Sequence, residues 1–170
     1  MFRPGGLSES RGSGHKGLKM GRRKILLVSS GGGHWVELLR ISAAFEGHDT
    51  QYVSSQGVES VPNGQRKHII IPDGSRTNIL GIFKIIICLW KVETEFLPDV
   101  VVTTGAAPGL IGVVIGWLIG AKTIWLDSIA SSEHASLSGR LAQPCATLWL
   151  TQWEDVARQH RGLKCFGKVV

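Results

Sequence analysis

The sequence predicts an α/β fold built on an open parallel sheet. Short runs of β-branched and aliphatic residues alternate along the chain with segments whose apolar residues recur at helical spacing. Short loops rich in glycine and serine separate them. Alternation of this kind predicts parallel strands joined by helices that cover the sheet.

Each predicted element follows from its own pattern. The predicted strands are short apolar runs at 24–29, 50–54, 67–71, 100–104, 122–126 and 147–151, and a further strand begins in 163–169. The predicted helices have apolar residues three or four apart and cover 35–45, 78–97, 109–119, 137–142 and 153–160. Gly47 ends the first helix and Pro98 ends the second. Ligands bind such sheets at the carboxyl ends of the strands. We therefore expect the site in the loops 30–34, 105–109, 127–136 and 151–154.

The positive charge of the chain is concentrated at its start. The formal net charge is +6, yet the first 24 residues carry seven basic side chains and one acidic side chain, and the rest of the chain is neutral. We expect a disordered basic tail at 1–21 and a Rossmann-like domain at 22–170. Because a protein that grips nucleic acid carries its charge on the folded surface, no nucleic-acid partner is expected.

The cysteines favour a reducing compartment. Cys88, Cys145 and Cys165 are odd in number and far apart, and no CxxC or histidine pair stands at metal-ligand spacing. No apolar stretch of signal-peptide length follows the basic start. We expect buried thiols, no metal site and a cytoplasmic protein.

The segment Ile79–Val92 allows two interpretations. Its only charged residues, Lys84 and Lys91, are seven positions apart and therefore share one helical face. The segment is either a heavily buried helix or a helix that rests on an anionic membrane with lysines at its edge. In the second case Lys84, Trp90 and Lys91 contact the membrane or a partner.

The first loop could hold a phosphate. Gly31, Gly32 and Gly33 follow a strand and open a helix, whose first N–H groups and positive dipole end attract anions. The pattern matches neither the dinucleotide fingerprint nor a Walker loop. His34 stands at the helix start, where the dipole favours the neutral imidazole of a general base. A tight turn without ligand, capped by His34, is the alternative.

Three further loops carry candidate site residues. Gly105 lies in a loop of small residues that leaves room for a ligand or another domain. Asp127 and Ser128 end a strand at the same crevice. The alternative interpretation of Asp127 is an ordinary solvated aspartate in a loop. Arg140, near Ser136 and Ser138, could bind a hydroxyl or phosphate, or lie on a capped surface helix. Trp153 could stack on a sugar, contact a partner or pack within the domain.

Four motifs in order make the chain recognisable. They are KILLVSSGGGHWVELLR, PDVVVTTGAAPG, WLDSIASSEHASLSGRLA and LTQWE, within residues 22–169. Together they resemble the membrane-recruiting, acceptor-side subunit of split UDP-sugar glycosyltransferases. This family includes the bacterial PssD type and the anchoring subunit of the eukaryotic dolichol-linked UDP-N-acetylglucosamine transferase. The layout is also similar to the N-terminal half of the GT-B enzyme that makes the peptidoglycan lipid precursor.

The resemblance implies half of a GT-B glycosyltransferase that needs no cofactor. Its small catalytic partner would bind the UDP-sugar substrate, either N-acetylglucosamine or glucuronic acid. This half would supply the lipid-pyrophosphate-linked acceptor side and attach peripherally to the inner face of the cell membrane. Oligosaccharide or exopolysaccharide synthesis would be the process served. The eukaryotic subunit has an N-terminal transmembrane helix where this chain has a basic segment.

The resemblance also assigns roles to residues. Gly31–Gly33 and His34 fall on the family's glycine-rich loop, which faces the acceptor, and Gly105 falls on the second glycine loop. Asp127 falls where the peptidoglycan relative has an active-site glutamate. We expect His34 or Asp127 to be the catalytic base. A non-catalytic recruiting scaffold and a free-standing phosphate- or nucleotide-binding module remain alternative functions.

Overall fold

The computed structural model describes residues 21–55, 67–72 and 79–169. One sheet contains the strands β1 (Lys24–Ser29), β2 (Asp49–Ser54), β3 (His68–Ile70), β4 (Val100–Thr103), β5 (Lys122–Leu126), β6 (Leu148–Thr151) and β7 (Leu163–Cys165). The strands are connected by the helices α1 (Gly33–Ser42), α2 (Ile79–Phe96), α3 (Ala106–Leu118), α4 (Leu137–Ala142) and α5 (Glu154–Gln159). The predicted basic tail lies outside the described residues except for its last position.

The sheet is parallel throughout, in the order β3-β2-β1-β4-β5-β6-β7. The predicted open parallel α/β fold is therefore confirmed. Chain order reverses between β1 and β4, where Ile25 pairs with Val100 and Val28 with Thr103. This reversal creates a crevice at the carboxyl ends of the two strands.

Hydrophobic packing covers both faces of the central strands. Leu26 and Val28 of β1 pack with α2 and α3, for example against Leu89 and Ile115. The alternate residues of β1 pack with α1 in a second cluster that includes Leu38. Successive β1 residues are therefore buried on opposite faces, which explains the continuous apolar run KILLV. A third cluster under α4 and α5 completes the core.

Two predictions about helices need correction. Helix α3 begins at Ala106, three residues earlier than predicted, and Pro108 lies in its first turn. Proline is tolerated there because the first N–H groups of a helix have no intrahelical acceptor. The interpretation of 79–92 as a heavily buried helix is also wrong. Leu80, Phe83 and Ile87 are among its exposed apolar side chains.

Candidate functional site

The candidate site lies at the crevice between β1 and β4. The loop after β1 leads into α1, and the loop after β4 leads into α3. Both helices therefore point their N-termini toward the same edge of the sheet. Four loops predicted from the sequence begin at this edge, and those after β1, β4 and β5 contribute to one cavity.

His34 and Thr104 join the two central loops. Nδ1 of His34 lies 2.9 Å from the backbone carbonyl of Thr104. The Thr104 hydroxyl donates to the backbone carbonyl of His34 at 2.6 Å. Because a carbonyl only accepts, Nδ1 must carry the proton, and Nε2 is then the basic nitrogen of the neutral ring. Among the described residues, no hydrogen bond engages Nε2.

Gly105 makes the close approach of His34 possible. Its φ of 127° and ψ of −161° lie in a region that is open essentially to glycine alone. A Cβ atom at this position would stand 3.0 Å from Cε1 and 3.2 Å from Nδ1 of His34. Because it has no side chain, the predicted loop glycine leaves room for the His34 ring to lie next to the Thr104 carbonyl.

An open cavity of about 210 Å³ lies against this pair. Its wall brings together the predicted residues His34, Gly105, Asp127 and Ser128. The remaining lining residues are small, and most are polar: Thr104, Ala106, Ala130, Ser131, Ser136 and Ser138. Hydroxyl groups next to a basic imidazole suit a polar, hydroxylated ligand. Within the described ranges, no group of three or more His, Cys, Asp or Glu side chains is arranged to hold a metal.

Asp127 is buried and hydrogen-bonded, so the solvated-aspartate interpretation is wrong. Only 1% of the residue is exposed. Oδ1 accepts from Nε1 of Trp125 at 2.9 Å and from the Ser136 hydroxyl at 2.5 Å. These bonds fix the start of α4 beside the end of β5. The carboxylate is thus engaged in holding the cavity wall, and its role as the catalytic base stays a prediction.

Glu37 is a site residue that the sequence analysis missed. It lies one turn after His34 on α1, and only 4% of it is exposed. Its Oε1 atom accepts from the Ser128 hydroxyl at 2.9 Å and from the Ile129 amide at 2.8 Å. The one available signal was the three-residue spacing from His34, which places both on one helical face.

Two predicted binding elements lie outside the cavity wall. Gly31–Gly33 precede His34 at the α1 terminus, where Gly32 has φ 67° and no side chain caps the helix. Gly31 donates its amide to the Ser55 hydroxyl at 3.2 Å. Arg140 is exposed on α4, and its role as a ligand stays a prediction.

Trp153 has an internal position. Its indole N–H donates to the Ile129 carbonyl at 2.9 Å, and its ring lies 4.0 Å below the Lys168 ammonium. The residue is half-buried beside the cluster under α4 and α5. Trp153 therefore packs within the domain, and the partner or membrane contact through it stays a prediction.

Helix α2 presents an exposed apolar face with lysines beside it. The exposed side chains follow helical spacing and are Ile79, Leu80, Phe83, Ile86, Ile87 and Trp90. Lys84 and Lys91 are also exposed, on the same side as Leu80 and Ile87. In the ranges described here, no helix has the length and apolar character needed to cross a membrane.

The chain is similar in sequence to two curated proteins. The UDP-N-acetylglucosamine transferase subunit ALG14 of Eremothecium gossypii is 38% identical over 81 residues, 43% of this chain and 35% of that protein. The subunit alg14 of Schizosaccharomyces pombe is 21% identical over 189 residues, 92% of this chain and 90% of that protein. The chain thus matches about a third of the first relative and most of the second. No protein-family model matches it.

Solved structures share the fold. A glycosyltransferase of Rickettsia africae superimposes with a TM-score of 0.64 at 14% identity, over 87% of this chain and 43% of that one. MurG of Acinetobacter baumannii superimposes with a TM-score of 0.61 at 14% identity, over 79% of this chain and 43% of that one. UDP-GlcNAc 2-epimerase of Methanocaldococcus jannaschii superimposes with a TM-score of 0.65 at 16% identity, over 85% of this chain and 45% of that one. The chain spans less than half of each solved chain. The predicted resemblance is thus confirmed: the chain is similar in sequence to ALG14 subunits of UDP-N-acetylglucosamine transferase and has a Rossmann-like fold shared with GT-B glycosyltransferases.

Proposed function

We propose that this chain is the acceptor-side half of a two-chain glycosyltransferase. The enzyme transfers N-acetylglucosamine from its UDP-sugar to a lipid-pyrophosphate-linked acceptor, in oligosaccharide or exopolysaccharide synthesis. The names of both relatives support this sugar over glucuronic acid. The observation that carries the proposal is the His34 imidazole at the cavity wall, with Nδ1 engaged by the Thr104 carbonyl.

In this proposal His34 is the general base, and its position at the cavity wall supports that role. An acceptor hydroxyl in the cavity attacks the anomeric carbon of the donor sugar and inverts its configuration. The new bond joins that oxygen to the anomeric carbon, and the bond from this carbon to the UDP oxygen breaks. Nε2 of His34 takes the hydroxyl proton, while Nδ1–H stays bonded to Thr104.

The donor site belongs to a partner chain in this proposal. The cavity of about 210 Å³ is smaller than the pockets that enclose a whole nucleotide-sized ligand. The solved glycosyltransferase of similar fold is about twice as long, with 43% of it covered by this chain. A small catalytic subunit that carries the UDP-sugar would therefore close the cavity from its open side.

We further propose that α2 attaches the enzyme to the cytoplasmic face of a membrane. Helix α2 runs from the carboxyl edge of the sheet, where β3 ends, to the amino edge, where β4 begins. Its first turns, with Leu80 and Phe83 exposed, therefore lie at the same edge as the cavity. An acceptor held by its lipid in the membrane would reach His34 from that edge.

Co-purification followed by a transfer assay tests this function. The tagged chain is isolated from its native cell, and its partners are identified by mass spectrometry. We expect a stoichiometric partner of about one further domain, and transfer from UDP-N-acetylglucosamine to a lipid-pyrophosphate acceptor by the complex. A monomer that binds phosphate or nucleotide unaided would favour the free-standing module. Transfer by the partner alone at the full rate would favour the scaffold.

A further inference from the structure

We infer that Glu37 is a positioning residue that holds the two walls of the cavity at a fixed separation. This inference rests on the proposed function. One wall is the His34–Thr104 pair at the central crevice, and the other is the loop 127–136 with the start of α4. Glu37 lies on α1 with His34 and reaches the second wall through Ser128 and Ile129.

The connection depends on one carboxyl oxygen. In the described part of the chain, both hydrogen bonds between α1 and residues 127–138 end on Oε1 of Glu37. One bond comes from a side chain and the other from a backbone amide, so they fix the position and direction of the loop at Ser128. Loss of this oxygen would leave the half-buried Ile129 amide without its acceptor.

The burial of Glu37 costs desolvation free energy, which argues that its hydrogen bonds to the loop have a role. Only 4% of the residue is exposed, so its carboxyl group loses much of its hydration. Oε2 is buried and has no hydrogen-bond partner among the described residues. An apolar side chain would fill the same space without this cost, but it could not accept from Ser128 and Ile129.

The far side of the loop is held independently. The Trp153 indole donates to the Ile129 carbonyl, and the Gln152 amide donates to the Asp127 carbonyl at 3.2 Å. These bonds anchor the loop to the segment between β6 and α5, whereas among the described residues Glu37 alone anchors it to the helix that carries the base. We therefore expect Glu37 variants to misplace the loop relative to His34 while the rest of the sheet stays folded.

The Ile129 amide gives a direct structural test. Hydrogen exchange at this amide is measured in the wild-type complex, Glu37→Ala, Glu37→Gln and Ser128→Ala. We expect faster exchange in Glu37→Ala and wild-type protection in Glu37→Gln, because the glutamine carbonyl still accepts. Equal protection in wild type and Glu37→Ala would overturn the inference, whether or not the complex proves to be a transferase.

Kinetics with the same variants test the positioning role. In the active complex, Glu37→Ala should lower kcat/KM for the lipid-pyrophosphate acceptor by about 10- to 100-fold, as expected for displaced walls, and leave the KM for UDP-N-acetylglucosamine unchanged. Glu37→Gln should restore most of the activity. The exposed Glu46→Gln is the matched control and should behave as wild type. Unchanged acceptor kinetics in Glu37→Ala would overturn the inference, while an inactive wild-type complex would instead contradict the proposed function.

Discussion

His34 and Thr104 bond to each other twice across the central crevice of the sheet. The His34 ring donates to the Thr104 carbonyl at 2.9 Å, and the Thr104 hydroxyl donates to the His34 carbonyl at 2.6 Å. The pair joins the loops after β1 and β4, which are 70 residues apart in sequence. The same bond that selects the ring tautomer therefore also fixes the geometry of the cavity wall.

Gly105→Ala is expected to disturb this pair. The new Cβ would face Cε1 of His34 at 3.0 Å in a backbone conformation that alanine rarely adopts. We predict a loss of about 1–3 kcal/mol in unfolding free energy from backbone strain, together with a drop in kcat. Urea denaturation and the transfer assay measure the two effects. Wild-type kcat in a folded variant would show that the His34 position does not limit turnover.

Gly33→Ala separates ligand contact from folding. A Cβ at Gly33 meets no atom within 4 Å, and the residue begins α1 with an ordinary φ. Stability should therefore be unchanged or slightly higher. If the acceptor pyrophosphate rests on this loop, its KM rises several-fold and the KM for the UDP-sugar does not. An unchanged acceptor KM would remove the glycine loop from the binding site.

Glu93 should make stability depend on pH. Burial raises the pKa of this carboxyl group to about 9 from its ordinary value of 4.5. Between these values the folded chain retains a proton that the unfolded chain has lost, so the unfolding free energy falls as pH rises, and it levels off above about 9. Urea denaturation from pH 5 to 10 should show this slope in wild type and lose it in Glu93→Gln.

The packing around Glu93 explains why the proton is retained. A Cβ at Gly112 or Gly116 of α3 would stand 3.4 Å from a Glu93 oxygen, so the carboxyl group lies directly against the helix backbone. Neither oxygen has a hydrogen-bond partner among the described residues. The exposed Glu95→Gln serves as the control and should keep the wild-type slope. Identical slopes in wild type and Glu93→Gln would contradict the prediction.

The exposed face of α2 predicts binding to anionic vesicles. Replacing Phe83 and Ile87 by serine should lower partitioning at least ~10-fold, because each apolar side chain contributes roughly 1.5–3 kcal/mol when buried. Lys84→Ala and Lys91→Ala should each weaken the free energy of binding to anionic vesicles by about 1 kcal/mol and change binding to neutral vesicles little. Lys122→Ala, at the opposite edge of the sheet, is the control. Sedimentation with vesicles gives the partition coefficients, and equal binding by all variants would exclude α2 as the attachment surface.

Periodicity predicted most of the fold because local pattern and packing agree. The bounds of β1, β5 and α4 were predicted to the residue, since each is a distinct apolar or capped segment. The start of α3 was missed because the glycines and Pro108 are typical of a loop, although a first helical turn accepts them. The exposed face of α2 depends on which elements cover the helix, and a nearly all-apolar segment does not reveal this.

The candidate site was predictable only where the chain itself carries the signal. His34, Gly105, Asp127 and Ser128 follow strand ends, and the topology of a parallel sheet brings such positions together. Glu37 was missed because its partners are more than 90 residues away and its burial arises only on folding. Trp153 and Arg140 were chosen by residue type, which does not specify the direction in which a side chain points.

Turnover of His34→Ala in the assembled complex shows whether His34 is the catalytic base. Alanine removes the base, while the backbone carbonyl of residue 34 can still accept the bond from the Thr104 hydroxyl. We predict a fall in kcat of at least ~100-fold with partner binding intact. His48→Ala, outside the cavity, should retain wild-type kcat. Near-normal turnover by the His34→Ala complex would exclude His34 as the base and leave this chain as a scaffold for its partner.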